Sequence, residues 1–184
     1  MQDKGATTKA RTAASNMTSS KETPMIAGKM EITTPTDCEL LLTRTFKASR
    51  DLVFDCMTRP ELVRRWLLGP PGWTMPVCEI DLRVGGRFRY VWKKDEGAEM
   101  AMSGVYREID RPGRIVHNET FDEDWTGGAT LVTSLLHETD GKTTMAMTVR
   151  YASREARDGA LSTGMADGME HGYSLLDALL ETVR

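Results

Sequence analysis

His117 and Glu119 stand two residues apart in the segment RIVHNETF. On a β-strand that spacing sets both side chains on one face. An imidazole beside a carboxylate is the minimum for a proton relay, provided a substrate reaches it. Glu79, Asp81 and His171 are the remaining polar candidates for acid–base work. The same residue types also occur on ordinary solvated strand faces, so spacing alone assigns no catalytic residue. No nucleophile elbow, phosphate-binding loop or dinucleotide fingerprint accompanies them. Gly85-Gly86 reads as a turn rather than a phosphate cradle. Cys38, Cys56 and Cys78 form no CxxC pair, and the three histidines show no HExxH spacing, so neither a metal site nor a cofactor is expected.

The second kind of chemistry on offer is apolar recognition. The segment WLLGPPGWTMPVCEIDLRVGGRFRYVW, Trp66 to Trp92, holds three of the four tryptophans. After Gly86 the residues alternate, with Phe88, Tyr90 and Trp92 against Arg87, Arg89 and Val91. Period two means a strand, and this strand sets three rings on one face. Such a face either fills a core or walls a pocket for a flat ligand. Trp66 and Trp73 flank the Gly-Pro-Pro-Gly break and read as the lip of a pocket or as a packed corner. Met102, Tyr106, Met145 and Met147 are further strand candidates.

The chain's end supplies the facing wall. Ser153 is a candidate N-cap, and one long helix is expected after it. Leu161, Met165, Met169, Tyr173, Leu176, Leu180 and Val183 recur at steps of three and four, which is one helical stripe. Gly164, Gly168 and Gly172 each precede a stripe residue. Glycine costs about 0.5–1 kcal/mol inside a helix, so three in register suggest close packing or room for a ligand. Glu170 and His171 are expected on the exposed flanks.

These elements need a body to position them. The 184 residues suffice for one domain with a core of its own. Residues 1–36 are rich in Thr, Ser, Ala and Lys and lack aromatics, so they read as a disordered tail, with Met30 to Pro35 beginning to dock. The body, 37–184, opens with a strand from Glu39 to Ala48. A short helix follows behind Ser49, and a second starts at Pro60. Six strands come next, near 74–84, 86–94, 99–109, 114–122, 129–138 and 142–151, joined by tight turns. Gly85-Gly86 is expected to close the first hairpin. With the opening strand this makes seven, in an antiparallel meander.

Net charge is −3 and no basic stripe appears, so no nucleic-acid partner is expected. No apolar run approaches the ~18 residues that a bilayer span needs. A cytoplasmic, reducing location is the default, and a homodimer is the commonest assembly on general grounds.

Five pieces in order carry a family resemblance. They are TRTFKASRDLVFDCMTRPELVRRW, GPPGWTMPVCEIDLRVGGRFRY, GVYREIDRPGRIVHNETF, GKTTMAMTVRY and GMADGMEHGYSLLDALL. The chain resembles the START-like helix-grip proteins (SRPBCC, Bet v 1-like). Within them it is most similar to the family named after the C-terminal domain of the activator of the heat-shock-protein-90 ATPase. The resemblance implies an α+β helix-grip fold: a seven-stranded curved antiparallel sheet, two short helices, and a long C-terminal helix across the concave face. It also implies a hydrophobic cavity between helix and sheet; the strand alternation and the helical stripe read above make Trp66, Trp73, Phe88, Tyr90, Trp92, Met102, Tyr106, Met147, Met165, Met169 and Tyr173 the residues expected to line it. Relatives include lipid and hormone binders, cyclases and a co-chaperone domain. The expected role is therefore binding of a small apolar molecule. A cyclase- or hydrolase-like enzyme using His117, Glu119 or Glu79 is one rival. A co-chaperone-like interaction module with a chaperone partner is the other, and the short polar tail in place of a preceding folded domain weakens it.

Overall fold

The structure, a computed structural model, describes residues 28–95 and 97–183. Its elements run β1 (Glu31–Thr33), β2 (Glu39–Phe46), α1 (Arg50–Thr58), α2 (Pro60–Val63), β3 (Trp73–Ile80), β4 (Arg87–Lys94), β5 (Glu99–Asp110), β6 (Arg114–Phe121), β7 (Thr130–Thr139), β8 (Lys142–Arg150), α3 (Arg154–Ser162) and α4 (Met165–Thr182). The strands form one antiparallel sheet in the order β1-β2-β8-β7-β6-β5-β4-β3. This is the helix-grip fold, with the terminal helices on the concave face of a curved sheet.

Alternation along the strands decides which side becomes the core. In β2, Leu40, Leu42, Arg44 and Phe46 are buried, while Glu39, Leu41, Thr43 and Thr45 are less so. In β4 the buried set is Phe88, Tyr90 and Trp92. Two register shifts, between Thr74 and Val77 on β3 and between Tyr106 and Glu108 on β5, bend the sheet. Gly104 on β5 is where Phe88 crosses to the neighbouring strand: a Cβ there would meet the Phe88 ring and the Asn118 carbonyl.

Pairing β2 with β8 leaves the chain at one side of the sheet, while β3 lies at the far edge. The link α1–α2 crosses that distance and buries Val53, Phe54, Cys56 and Val63. At its end the Arg64 guanidinium donates to the carbonyls of Pro76 and Cys78, each at 3.1 Å. An arginine thus covers the outer edge of β3, which would otherwise be open to pairing.

The terminal helix buries Tyr173, Leu176, Leu179 and Leu180. It is held at mid-length by Arg44, which is only 2% exposed. Its Nη1 donates to Glu170 at 2.7 Å and its Nη2 to Asp177 at 2.7 Å. The second Glu170 oxygen accepts from the Met30 backbone at 2.9 Å.

Several expectations need correction. The sheet has eight strands, because Met30 is buried and Glu31–Thr33 pair with β2. The docking expected of Met30 to Pro35 takes the form of this strand, and residues 1–27 of the segment read as tail lie outside the described residues. The single long terminal helix is two, since Gly164 adopts a left-handed φ of 79° and breaks the run between α3 and α4. Gly85-Gly86 is not a two-residue turn. β3 stops at Ile80, the loop folds on Gly86 N–H to Arg83 carbonyl and Asp81 N–H to Arg87 carbonyl bonds, and Leu82 is left exposed. Ser49 precedes α1 without a side-chain cap, and the first N–H of the helix, that of Arg50, is instead taken by Glu138 of β7 at 2.7 Å. Ser153 does cap α3, accepting from the Ala156 N–H. Glu170 is an ion-pair partner rather than a solvated flank, and His171 is half-buried.

Candidate functional site

Between α4 and the sheet lies a cavity of about 550 Å³. Small-molecule sites run from roughly 300 to 1,000 Å³. Every tryptophan of the chain (Trp66, Trp73, Trp92, Trp125) and every tyrosine (Tyr90, Tyr106, Tyr151, Tyr173) contributes to its wall. So do Met57, Met100, Met102, Met145, Met147, Met165 and Met169, leaving only Met30 and Met75 elsewhere among the described methionines. Aromatic faces and thioethers make an adaptable apolar surface.

Strand geometry explains the aromatic wall. Phe88 and Tyr90 have centroids 5.1 Å apart, Tyr90 and Trp92 5.8 Å, and Phe88 and Tyr106 5.4 Å. The rings support one another and still show surface to the cavity. Two indole N–H groups are spent on backbone: Trp92 donates to the Leu67 carbonyl at 2.7 Å and Trp66 to the Cys56 carbonyl at 2.8 Å. The first bond fastens the segment after α2 to β4 and the second fastens it to α1, so both N–H groups are spent on backbone. Trp66 is thus a packed corner as well as cavity wall. Trp73 is half-buried, and Pro70, Thr163 and Gly164, which also line the cavity, are exposed.

The helical wall is formed by Met165, Gly168, Met169, Gly172 and Tyr173. Gly172 lets the helix approach the Trp66 carbonyl, which a Cβ would meet at 3.3 Å. Gly168 faces Pro70 at an ordinary 3.6 Å. The close packing foreseen for these glycines is therefore against the 66–70 segment rather than the sheet.

Burial pushes the Tyr106 and Tyr151 phenols up to about 12 and raises Tyr90 and Tyr173 as well. These hydroxyls stay protonated and serve as weakly polar points. Tyr151 donates to the Met165 sulfur at 3.8 Å and Tyr173 to the Met147 sulfur at 4.0 Å.

One polar cluster interrupts this surface. His117 and Glu119 do share the concave face, and His117 Nε2 lies 3.3 Å from a Glu119 oxygen. The other Glu119 oxygen accepts from the Thr130 hydroxyl at 3.3 Å. His117 Nδ1 is buried with no hydrogen-bond partner among the described residues. The edge of Phe88 packs against the imidazole at 5.2 Å. Glu79 and Asp81 point to solvent and His171 does not reach the cavity. Cys56 and Cys78 are buried, and burial raises both thiols to about 11, which leaves them unreactive near neutrality. Among the described residues no cluster of three or more His, Cys, Asp or Glu has metal-binding geometry.

All eleven cavity residues expected from the sequence line this space. Trp125, Tyr151 and Thr130 also line the cavity, beyond the expected set. Tyr151 continues the period-two series Met145, Met147, Val149, a signal that was available. Trp125 sits in a turn, where no periodicity applies. Its ring comes within 4.3 Å of the Phe121 ring, centroid to centroid.

Fold and cavity together define a helix-grip protein. A sequence-family profile described as Activator of Hsp90 ATPase homolog 1-like protein matches residues 47–181, and the chain belongs to that family. A solved structure from Rhodobacter sphaeroides is 35% identical, with a TM-score of 0.80 over 84% of this chain and 99% of that one. One from Staphylococcus epidermidis is 26% identical, with a TM-score of 0.71 over 83% of this chain and 94% of that one. One from Mycobacterium smegmatis is 25% identical, with a TM-score of 0.71 over 82% and 97%. No curated protein matches the chain. Among the described residues, no helix is long and apolar enough to cross a membrane.

Proposed function

We propose that this protein binds a small, mainly apolar molecule between α4 and the concave sheet. The observation that carries the reading is the placement of every tryptophan and tyrosine on one cavity of about 550 Å³. A protein that needed its aromatics only for packing would fill that space. The methionines offer a test. Methyl-labelled methionine spectra are recorded while naphthalene is added. Resonances of the seven cavity methionines are expected to shift, with Met30 and Met75 unmoved. Uniform shifts across all the methionines, or none, would overturn the reading.

A second reading, acid–base catalysis, is favoured by one observation: His117 and Glu119 meet inside the cavity at 3.3 Å. Glu79 drops out of it, being on the solvent side. Turnover of a bound molecule that is lost in His117→Asn, with binding retained, would support catalysis; unchanged turnover in that variant would remove it. A protein-contact role as a co-chaperone has less to stand on. The large exposed apolar residues divide between the 81–86 loop (Leu82, Val84) and the strand β7 (Leu131, Leu135).

A further inference from the structure

Among the described residues two with full charges line the cavity, Arg114 and Glu119. Arg114 is paired away from it, its Nε donating at 2.8 Å to Glu108, an exposed residue outside the lining. Glu119 is treated differently. It is largely buried, its side chain 18% exposed, and no lysine or arginine among the described residues forms an ion pair with it. Among the described residues its two oxygens receive one bond each, from Thr130 and His117, both at 3.3 Å. Charge-assisted bonds to carboxylates normally run about 2.5–2.9 Å. The Arg44 bonds to Glu170 and Asp177 in this same protein are 2.7 Å. A carboxylate has about four acceptor sites, so Glu119 holds unused capacity in an apolar space, where an uncompensated charge is costly.

The surroundings favour a cation over a neutral donor. The faces of aromatic rings are electron-rich and attract positive charge. Glu119 lines the same cavity as Tyr90, Tyr106, Tyr151 and Tyr173, so a cation beside its carboxylate sits in a space walled by aromatic rings.

We propose that the ligand carries a cationic amine head on an apolar body, and that Glu119 is the counter-charge for that head, Thr130 and His117 orienting its carboxylate. This rests on the cavity-binding reading above. It narrows the ligand from any apolar molecule to amphiphilic amines, and it assigns Glu119 a binding role that needs no catalysis.

The test uses one body with three heads: naphthylethylamine, naphthylethanol and naphthylacetate, titrated calorimetrically at neutral pH into the full chain. The amine is expected to bind about tenfold tighter than the alcohol and the acetate weakest. In Glu119→Gln, which preserves shape, the amine is expected to fall to the level of the alcohol, whose own affinity stays put. Equal binding of amine and alcohol to the wild type would overturn the assignment and leave the cavity reading standing. Tightest binding of the acetate would do the same and make Arg114 the charged pole. Binding of none of the three would remove both. The wild-type series decides the matter even if the variant fails to fold.

Discussion

The indole of Trp66 stacks on the ring of Tyr173, centroids 5.7 Å apart and planes 21° from parallel. One residue ends the short-helix link, the other lies at the middle of α4, and both face the cavity. Tyr173 also meets Phe46 edge-on at 5.8 Å. A single ring therefore ties the helix to the sheet and to the corner. Tyr173→Ala should cost about 3–5 kcal/mol, the usual range for deleting a buried aromatic. Tyr173→Phe should cost under about 1 kcal/mol, because the hydroxyl meets only a sulfur at 4.0 Å. Urea denaturation of both variants checks the contrast.

Arg44 is the second fastening. Breaking a buried ion pair costs roughly 3–5 kcal/mol. Here the carboxylates are about one-third exposed, with side-chain values of 33% and 37%, and can recover water when the arginine is removed. Arg44→Ala should therefore lose about 3 kcal/mol, the low end of that range. Arg44→Met, which refills the volume, should lose less. Thermal melts of the two, side by side, measure the difference.

The glycines of α4 should respond in opposite ways. At Gly168 a methyl group meets Pro70 at an ordinary distance, 3.6 Å. Gly168→Ala should then stabilise by about 0.5–1 kcal/mol through helix propensity alone. Gly172→Ala gains the same propensity but presses on the Trp66 carbonyl at 3.3 Å, so it should fall short of Gly168→Ala. Gly104→Ala should be the worst of the three, since Phe88 and the Asn118 carbonyl already occupy the space. Denaturant midpoints for the set give the order.

Alkali should unfold the protein. The fold holds Cys56 and Cys78 thiols up at about 11 and the Tyr106 and Tyr151 phenols up at about 12, with Tyr90 and Tyr173 also raised. Burial is the leading cause in each. Below the ordinary thiol value of 9.0 all six are protonated in folded and unfolded chains alike, and the stability is complete. As pH rises past the ordinary thiol and phenol values, 9.0 and 10.0, the unfolded chain ionises first. Stability then falls until the folded values are passed. Tyrosinate absorbance should appear together with loss of the fold rather than ahead of it.

The helix-grip order was legible because period-two and helical stripes are written in the residue types. Phe88, Tyr90 and Trp92 announce a wall by alternation, and Met165, Met169 and Tyr173 by steps of four. The strand β1 was harder to read, because three residues offer no period and depend on the β2 edge they join. The break at Gly164 was hidden because a glycine in a helical stripe reads equally as spacing or as an end, and only its left-handed φ of 79° decides. Arg44 was missed because it occupies a core position in β2 with the wrong polarity for one. Its partners, Glu170 and Asp177, are more than a hundred residues away. Trp125 is in a turn, and nothing local shows which way a turn points its side chain.

An apolar site between α4 and the sheet should take up a neutral fluorescent probe and lose it in a variant that fills the site. N-phenylnaphthylamine is titrated into the wild type and into Met169→Trp, with circular dichroism melts confirming that both are folded. Saturable binding at one site per chain in the wild type, abolished in the folded variant, is the expected result. No saturable binding to the wild type, or undiminished binding to folded Met169→Trp, would contradict it.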